Sequence, residues 1–308
     1  MRYRELLLEG EKALQAAKVP EYELDAWYLF SHCFSMDRGA YFLYMETEIP
    51  GERLEAAEEF RRLARQRAER IPLQQILGSQ EFMGLSFFVN EQVLIPRQDT
   101  ETLVETVLAG EKRAVLAAVR PYRLLDLCTG SGCIGLSLAV YLRKNKAASG
   151  LRMGGRKEGG GPEILLSDIS REALQVAEEN IRRFDLKDSC RTVQSDLFTE
   201  FSGEQFDCIV SNPPYIPSGV IGTLLPEVKD HEPKIALDGS GDGLAFYRRI
   251  SREAAEHLFP GGHLYLEIGW DQGETVPKLL GEAGFFQIEV RKDLAGCDRV
   301  VKAEWPGV

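Results

Sequence analysis

The sequence predicts an α/β fold, in which helices cover a parallel β-sheet, preceded by a small helical domain. Two observations support this prediction. From about residue 121 onward, short hydrophobic runs that suit strands alternate with stretches of helical periodicity. Before residue 70, by contrast, apolar residues recur at helical spacing alone. A chain of 308 residues is long enough for one large and one smaller domain.

The helical domain is predicted to comprise residues 1–78. Its first apolar stripe runs from Leu6 to Ala17, and helical spacing resumes after Pro20 and again after Pro50. Proline lacks a backbone N–H and is therefore poorly suited to the interior of a helix. The pattern indicates several short helices.

A β-hairpin is predicted for residues 79–96, ahead of the larger domain at 97–308. Aromatic and β-branched residues there suit two short strands, and Gly84 suits the turn between them. The larger domain is predicted to open with a helix that Asp99 or Thr100 caps, because either side-chain oxygen can accept a backbone N–H bond.

The larger domain is predicted to alternate strands and helices. The strands are predicted at 123–128, 164–168, 192–196, 206–210 and 263–268, and the helices at 135–142, 171–184 and 243–258. Such alternation is typical of a parallel sheet with helices on both faces, where the ligand lies at the carboxyl ends of the strands. Residues 143–162 interrupt the pattern with six glycines among lysines and arginines, which predicts a flexible surface loop.

The composition argues against several classes of protein. Six scattered cysteines without a Cys-x-x-Cys pair, and four histidines without ligand spacing, indicate neither a metal site nor a disulfide framework. No run of about 18 apolar residues is present, and the N-terminus lacks the apolar stretch of a signal peptide, so a cytoplasmic location without membrane contact is expected. The net charge of −11 argues against stable binding of nucleic acid through its phosphates. Nothing indicates oligomerisation, and a monomer is expected.

A glycine-rich loop follows the first predicted strand of the sheet. Gly130, Gly132 and Gly135 form a Gly-x-Gly-x-x-Gly pattern that opens a helix, where a ligand can approach the backbone closely. The pattern alone fits a dinucleotide equally well. Asp126, just ahead of the loop, favours a ligand with an ammonium group, because a carboxylate attracts an amine and repels a pyrophosphate. S-adenosylmethionine carries such an amine and a cationic sulfonium.

Two further acids follow the next two strands. Asp168 ends the second predicted strand, where it can accept hydrogen bonds from both ribose hydroxyls of a nucleoside. It could instead cap the following helix, although Ser170 is the better cap. Asp196, ahead of Leu197 and Phe198, suits an adenine ring, because the acid can accept the exocyclic amine and the apolar side chains can cover the ring. An ordinary loop acid beside core residues is the alternative.

The fourth predicted strand leads into Asn212-Pro213-Pro214-Tyr215. An amide nitrogen, or the exocyclic amine of adenine, is a weak nucleophile because its lone pair is delocalised, so it must be held in line with its protons accepted. The Asn212 side-chain oxygen and the Pro213 carbonyl can accept two N–H groups, and the prolines hold that carbonyl still. Tyr215 offers a flat face to a planar amide or base. The motif predicts methyl transfer to nitrogen by positioning and electrostatics, with a rigid turn and an incidental Asn as the alternative.

These motifs resemble the amino-methyltransferases that use S-adenosylmethionine, and the chain is similar in particular to the peptide chain release factor glutamine methyltransferases. The similarity covers nearly the whole chain. It is carried by Asn212–Tyr215, by Asp126–Gly135, and by Pro72–Gly78, Glu81–Gly84, Val93–Arg97, Asp99–Glu101, Glu232–Leu237, Asp242–Leu244, Pro260–Gly262, Glu267–Gly269 and Asp293–Gly296. Gln75 and Gln98 stand where the family often has tyrosine and proline, and residues 143–162 look like an insertion.

The resemblance implies a Rossmann-like, S-adenosylmethionine-dependent methyltransferase domain and a helical domain that docks the substrate. The activity it implies is methyl transfer to the side-chain amide nitrogen of the glutamine in the Gly-Gly-Gln motif of class I release factors. Together with the chemistry above, the expected cofactor-binding residues are Asp126, Cys128, Thr129, Gly130, Ser131, Gly132, Asp168, Asp196, Leu197 and Asn212. The expected substrate-binding residues are Asn212, Pro213, Pro214 and Tyr215, of which Asn212, Pro213 and Tyr215 are expected to be catalytic, and no metal is expected.

Three other interpretations stay open at this point. An adenine-specific DNA or RNA methyltransferase would use the same motif on a flipped base, but the acidic balance and the lack of a basic recognition domain count against it. A nucleotide-dependent oxidoreductase would leave residues 212–215 without a role. A partner-binding protein that has lost catalysis is disfavoured by the intact Asp126, Asp168 and Asn212.

Overall fold

The structure is a computed structural model that describes residues 1–118, 120–148 and 162–307, with the backbone alone for residues 145–148. It divides into two compact units. The first comprises Met1–Ser79 and Leu224–His231, and the second comprises Gln80–Thr223 and Glu232–Val308. Nothing in the sequence indicated that residues 224–231 group with the N-terminal helices.

The secondary structure is as follows, in chain order. The helices are α1 (Tyr3–Ala16), α2 (Tyr22–Phe34), α3 (Arg38–Tyr44), α4 (Leu54–Ala68), α5 (Leu73–Leu77), α6 (Glu101–Ala117), α7 (Cys133–Ala148), α8 (Arg171–Arg183), α9 (Ser218–Ile221), α10 (Pro226–Lys229), α11 (Ala245–Glu253) and α12 (Thr275–Glu282). The strands are β1 (Ser79–Phe82), β2 (Leu85–Phe88), β3 (Arg123–Leu127), β4 (Glu163–Asp168), β5 (Cys190–Gln194), β6 (Phe206–Ser211), β7 (Leu258–Glu267), β8 (Phe286–Lys292) and β9 (Asp298–Glu304). No helix in these described ranges is long and apolar enough to cross a membrane.

The helices of the first unit enclose an aromatic core. Phe30 is fully buried at its centre, and its ring meets five others at centroid distances from 4.6 to 6.2 Å, those of Tyr3, Trp27, Phe34, Tyr41 and Phe60. Aromatic pairs at such distances add to the free energy of burial. Helices α1 and α4 approach closely at Gly10, where a methyl group would collide with the Phe60 ring.

A buried ionic cluster attaches the segment 224–231 to these helices. Arg67 is only 6% exposed and lies between Asp25 and Glu227, at 2.7 and 2.8 Å. Arg70 makes a second contact with Glu227 at 2.6 Å. Burial opposes ionisation of Glu227, but hydrogen bonds from Arg70 and Arg67 outweigh it and lower the pKa of that carboxyl to about 2.

The two departures from the family pattern have different surroundings. Gln75 donates its side-chain Nε2 to the His231 carbonyl at 3.0 Å, a second contact between a helix of the first unit and its later segment. Gln98 is exposed in a 3₁₀ turn ahead of α6.

The second unit is built on a sheet with the strand order β5-β4-β3-β6-β7-β9-β8. The first five strands in this order are parallel, β9 is antiparallel to β7, and β8 is antiparallel to β9. The chain proceeds outward from β3 to β5 and returns on the other side at β6. The carboxyl ends of the parallel strands therefore share one edge, and the order reverses between β3 and β6, where sheets of this class bind ligands.

Helices cover both faces of this sheet, which confirms the predicted fold class. Leu124 and Leu125 are neighbours on β3, and because successive side chains of a strand point to opposite faces, they enter different cores. Leu124 packs with α6, α7, α8 and the hairpin of β1 and β2, whereas Leu125 packs with α11 and α12. Asp126 therefore lies on the face that α7 covers.

Several predicted bounds are wrong. β5 ends at Gln194, two residues before the predicted end, because the last bond of its ladder with β4 joins the Ser195 N–H to the Asp168 carbonyl at 3.0 Å and Asp196 lies beyond the paired residues. α7 continues to Ala148, whereas a loop was predicted from residue 143, because no glycine or proline occurs between residues 143 and 149. The rest of that predicted loop, residues 149–161, lies outside the described residues.

The predicted cap of α6 is also wrong. Thr100 occupies the N-cap position but has helical dihedral angles, and its side chain makes no capping bond. A 3₁₀ turn at Gln98–Thr100 leads into the helix, and Asp99 faces Arg299 at 3.4 Å. Helix α12 and strands β8 and β9 were not predicted.

Candidate functional site

The candidate site lies along the edge where the carboxyl ends of the parallel strands meet. Leu127 at the end of β3 is in register with Ser167 of β4 and Ser211 of β6. The Ser211 hydroxyl donates to the Leu127 carbonyl at 2.8 Å. Asn212, which follows β6, is therefore fixed beside the glycine-rich loop that follows β3, and Asp168 lies on the other side of that loop.

Asp126 holds the glycine-rich loop through two hydrogen bonds. Its Oδ2 accepts the Thr129 hydroxyl at 2.6 Å and the Gly135 N–H at 2.9 Å. The side chain is fully buried, and its Oδ1 has no hydrogen-bond partner among the residues that the structure describes. Burial, together with a smaller effect of the neighbouring Asp168, raises the pKa of Asp126 to about 7 despite these two hydrogen bonds.

The loop leaves space over its backbone. Gly130 has a φ of +53°, and a methyl group added there would meet no atom within 4 Å, so a ligand can lie against this peptide. Gly135 is required for the opposite reason, since a methyl group there would collide with Leu166 and lie 2.9 Å from the Asp126 carboxylate. Cys128 adopts a left-handed φ of +58°, which is strained for a residue with a side chain.

Asp168 joins the loop to the end of β4. Its Oδ2 accepts the Gly130 N–H and its Oδ1 accepts the Ser170 N–H, each at 2.9 Å. Ser170 caps α8 by accepting the Ala173 N–H at 3.0 Å, so the prediction that Ser170 is the cap is confirmed. A carboxylate has about four acceptor positions, which leaves Asp168 able to accept two further hydrogen bonds. Burial raises the pKa of Asp168, against the effect of the backbone N–H groups that face it.

Asp196 lies in the turn after β5, where it is partly exposed and forms an ion pair with Arg249 of α11 at 2.8 Å. Leu197 is buried with a left-handed φ of +51°. Phe198 is buried and stacks on His257 with ring centroids 4.7 Å apart. The His257 ring thus already covers one face of Phe198. The second carboxylate oxygen of Asp196 takes no part in the ion pair with Arg249.

The backbone of Asn212–Tyr215 is supported by a neighbouring loop. Pro213 and Pro214 are buried, and Asn212 and Tyr215 are partly buried. The Ile216 N–H bonds to the Leu237 carbonyl at 3.1 Å. A methyl group on Gly239 would lie 2.8 Å from the Tyr215 backbone, so this glycine permits the close approach of the two loops.

Two residues that were not predicted to belong to the site contact the same motif. Asn212 donates its side-chain Nδ2 to the Thr100 hydroxyl oxygen at 3.4 Å. Tyr215 donates its hydroxyl to Glu267 Oε1 at 3.3 Å, and burial raises the pKa of Tyr215, so it remains a donor. Glu267 ends β7, the strand beside β6. A carboxylate near the end of a predicted strand was the sequence signal that could have identified Glu267 as a site residue.

The predicted site residues therefore form one continuous edge, with the glycine-rich loop and Asp168 on one side and residues 212–215 on the other. Asp196 lies in the turn after β5, the strand beside β4, and its neighbour Ser195 donates its N–H to the Asp168 carbonyl at 3.0 Å. Among the described residues, no group of three or more His, Cys, Asp or Glu side chains could hold a metal ion.

Comparisons with known proteins show which family the chain is similar to. Residues 5–78 match the family described as the PrmC N-terminal domain, and residues 113–223 match the family described as the methyltransferase small domain. The release factor glutamine methyltransferase of Clostridium botulinum is 39% identical over 306 residues, which cover 98% of this chain and 99% of that protein. The protein of the same name from Geobacter sulfurreducens is 38% identical, covering 95% and 91%.

A solved structure shares the fold at lower similarity. The hMettl16 catalytic domain, solved in complex with the MAT2A 3'UTR hairpin 1, has a TM-score of 0.52 and 15% identity, covering 80% of this chain and 81% of that chain. At this identity the likeness concerns the fold alone.

Proposed function

Because the chain belongs to the release factor glutamine methyltransferase family, we propose that it transfers a methyl group from S-adenosylmethionine to the side-chain amide nitrogen of a glutamine in a peptide chain release factor. The observation that carries this proposal is the position of Asn212. The hydrogen bond from Ser211 to Leu127 holds it beside the glycine-rich loop, so an acceptor nitrogen held by Asn212 is close to a ligand on that loop.

The substrate proposed is the glutamine of the Gly-Gly-Gln motif in class I release factors. Its amide nitrogen carries two protons, and Asn212 Oδ1 and the Pro213 carbonyl are the two acceptors proposed for them. The face of Tyr215 packs against the planar amide. Holding the amide in this way directs its nitrogen at the methyl group and excludes most other orientations.

The residues around the glycine-rich loop fit S-adenosylmethionine. The unpartnered Oδ1 of Asp126 and the negative charge of Asp168 suit a cationic ligand, and the open space over Gly130 admits its contact with the backbone. We assign the ribose hydroxyls to Asp168 and the adenine to Asp196 and Leu197, with Cys128 to Gly132 lining the loop. When bound, this cofactor supplies an electrophilic methyl group on a sulfonium.

The protein's own contribution to the reaction is positional. Asn212 and Pro213 hold the amide protons, and Tyr215 holds its plane. No strong general base is needed, because a nitrogen that has gained a methyl group becomes acidic and loses a proton to water. The buried prolines keep the Pro213 carbonyl in place through the reaction.

The helical unit is proposed to dock the release factor. Phe42, Leu43 and Tyr44 of α3 are 66%, 78% and 52% exposed, and exposed apolar groups of this size suit a protein partner. A net charge of −11 supports a protein substrate over stable binding to nucleic acid. We propose that the chain acts as a monomer.

A methyl-transfer assay with labelled S-adenosylmethionine tests the function. Purified release factors and duplex DNA are offered side by side, together with a factor whose Gly-Gly-Gln glutamine is replaced. Label on the intact factor and none on the replaced one supports the proposal. Label on DNA adenine would keep the cofactor site but overturn the substrate, and no transfer to any acceptor would overturn the proposed function as a whole.

A further inference from the structure

The turn that follows β7 contains a buried glutamine whose side-chain amide joins three segments of the second unit. This residue, Gln272, is 7% exposed. Its Oε1 accepts the Gly269 N–H at 2.8 Å, which closes the turn. Its Nε2 donates to the backbone carbonyls of Tyr215 and Gly243, each at 3.3 Å. One side chain thus connects the end of β7, the Asn212–Tyr215 motif and the loop that leads to α11.

The surroundings of Gln272 suit an amide and no other side chain of this size. An amide has an acceptor oxygen and an NH₂ group with two protons, and here one donor faces the oxygen while two carbonyls face the NH₂ group. Only one of the two orientations of the amide satisfies all three partners. Gly243, with a φ of +74°, permits this approach, because a methyl group there would collide with the Tyr215 carbonyl oxygen and lie 3.1 Å from Gln272 Nε2.

Tyr215 is held at both of its polar ends by β7 and its turn. Its carbonyl accepts from Gln272 and its hydroxyl donates to Glu267 Oε1, each at 3.3 Å. The same peptide donates its N–H, that of Ile216, to the Leu237 carbonyl at 3.1 Å. The two residues before Tyr215 are prolines, which have no N–H to donate. The position of the ring therefore depends on the bonds at the carbonyl and the hydroxyl.

We propose that Gln272 is a positioning residue that, by donating to the Tyr215 carbonyl, sets the Tyr215 ring against the amide of the substrate glutamine. The inference rests on the proposed function, because that function assigns the ring face to this amide. Without the NH₂ group of Gln272, the peptide that follows Tyr215 can tilt about its remaining bond to Leu237. The substrate would still bind, but its nitrogen would be directed at the methyl group in a smaller fraction of the complexes.

Gln272→Met removes the hydrogen bonds and keeps an unbranched side chain of similar size. We expect turnover on the release factor to fall by about tenfold, as for one lost hydrogen bond in the transition state, with KM for the factor within a few fold. The affinity for S-adenosylmethionine should also stay within a few fold, because the hydrogen bonds of the Gln272 side chain in the described structure involve no residue of the glycine-rich loop.

A second substitution and a matched control accompany this variant. Gln272→Glu keeps the acceptor for Gly269 but places a carboxylate oxygen against two carbonyls, so turnover should fall at least as far as in Gln272→Met. Gln205 also donates its Nε2 to a backbone carbonyl, that of Leu258 at 3.2 Å, where β7 begins. Gln205→Met removes the same kind of bond at the other end of β7 and should keep wild-type turnover. Thermal unfolding of every variant is measured alongside turnover.

A double-mutant cycle with Tyr215→Ala separates positioning of the ring from a general loss of structure. If Gln272 acts through the ring, it has nothing to orient in Tyr215→Ala, so adding Gln272→Met should lower the rate further by less than about twofold. A general defect would instead lower the rate by the same factor in both backgrounds. Single-turnover rates with labelled S-adenosylmethionine and an excess of enzyme resolve the slow variants.

The outcomes distinguish this inference from the proposed function. Both are supported by wild-type transfer to the glutamine that Gln272→Met lowers in the wild-type background but not in Tyr215→Ala, with Gln205→Met unchanged. Wild-type transfer that Gln272→Met leaves unchanged, or lowers equally in both backgrounds, overturns the inference alone. Absence of transfer by the wild-type protein overturns the proposed function and the inference with it.

Discussion

Gly130 donates its backbone N–H to the Asp168 carboxylate at 2.9 Å, so the acid that closes β4 also holds the glycine-rich loop that follows β3. The side chain has two tasks in this arrangement. It fixes the backbone on which a ligand would lie, and its remaining acceptor positions face the ribose that we assign to it. Removing the Asp168 side chain should therefore weaken cofactor binding more than binding of the protein substrate.

Asp168→Ala is expected to weaken S-adenosylmethionine binding by roughly 10- to 100-fold, because hydrogen bonds to a charged group contribute about 1.5–3 kcal/mol. Isothermal titration of the purified protein measures the dissociation constant. Asp188→Ala serves as the matched control, because Asp188 is an exposed acid in the turn after α8. This variant should bind S-adenosylmethionine as the wild type does. An unchanged dissociation constant in Asp168→Ala would move the ribose contact to another residue.

The sequence predicted the alternation of strands and helices because hydrophobic periodicity is local. It also placed Asp168 and Asn212 at strand ends and Asp126 just ahead of the glycine-rich loop, since a position along a strand can be read directly from the pattern. It could not predict the partners of those side chains. The contact between Thr100 and Asn212 joins residues 112 positions apart, and it depends on how α6 meets the edge of the sheet.

The wrong predictions have the same origin. Thr100 was assigned to a cap because its residue type suits one, yet its side chain faces Asn212, and the helix begins without a capping bond. Residues 224–231 contact the helices in part through Glu227, an acid that looks like any surface glutamate in the sequence. In both positions a tertiary partner decides the role of a residue whose local preference indicates another.

Asn212→Ala should separate binding from chemistry. The cofactor affinity is expected to stay within a few fold, whereas turnover should fall by roughly 10²-fold or more, as for the loss of one group that stabilises a transition state. Turnover and cofactor binding are measured on the same preparation, so the binding constant serves as the control for folding. Equal turnover in variant and wild type would contradict the role of Asn212.

Asp126 should make the stability of the ligand-free protein depend on pH. Its pKa in the folded chain, about 7, lies above the ordinary value near 3.8, so the folded state holds a proton that the unfolded state has lost between these values. The free energy of unfolding should therefore decrease as the pH rises from about 4 to about 7, by about 1.4 kcal/mol for each pKa unit.

Asp126→Asn removes this titration with little change of shape. The amide oxygen can accept from Thr129 and Gly135 as Oδ2 does, and the NH₂ group takes the place of the unpartnered Oδ1. Thermal unfolding across this pH range should show a smaller decrease in the variant than in the wild type. Parallel curves for the two proteins would mean that Asp126 is ionised in the folded chain throughout.

Arg67 should contribute far more to stability than a surface arginine of the same helix. Removing it by Arg67→Ala leaves Asp25 and Glu227 buried with one partner fewer, and breaking a buried ion pair from one side costs about 3–5 kcal/mol. Arg62→Ala is the matched control, because Arg62 is about half exposed in its pair with Glu59 and such pairs contribute about 0–1 kcal/mol.

Hydrogen exchange is the suitable measurement for this comparison, because a chain with two units need not unfold in one step. In Arg67→Ala, backbone amides of residues 224–231 should exchange faster along with those of α4, since among the described side chains Glu227 then keeps only its ion pair with Arg70. In Arg62→Ala the exchange of both segments should match the wild type. Exchange in Arg67→Ala that is faster in α4 alone would mean that Arg70 and Gln75 suffice to hold the later segment, and that the buried pair with Arg67 stabilises only the helices.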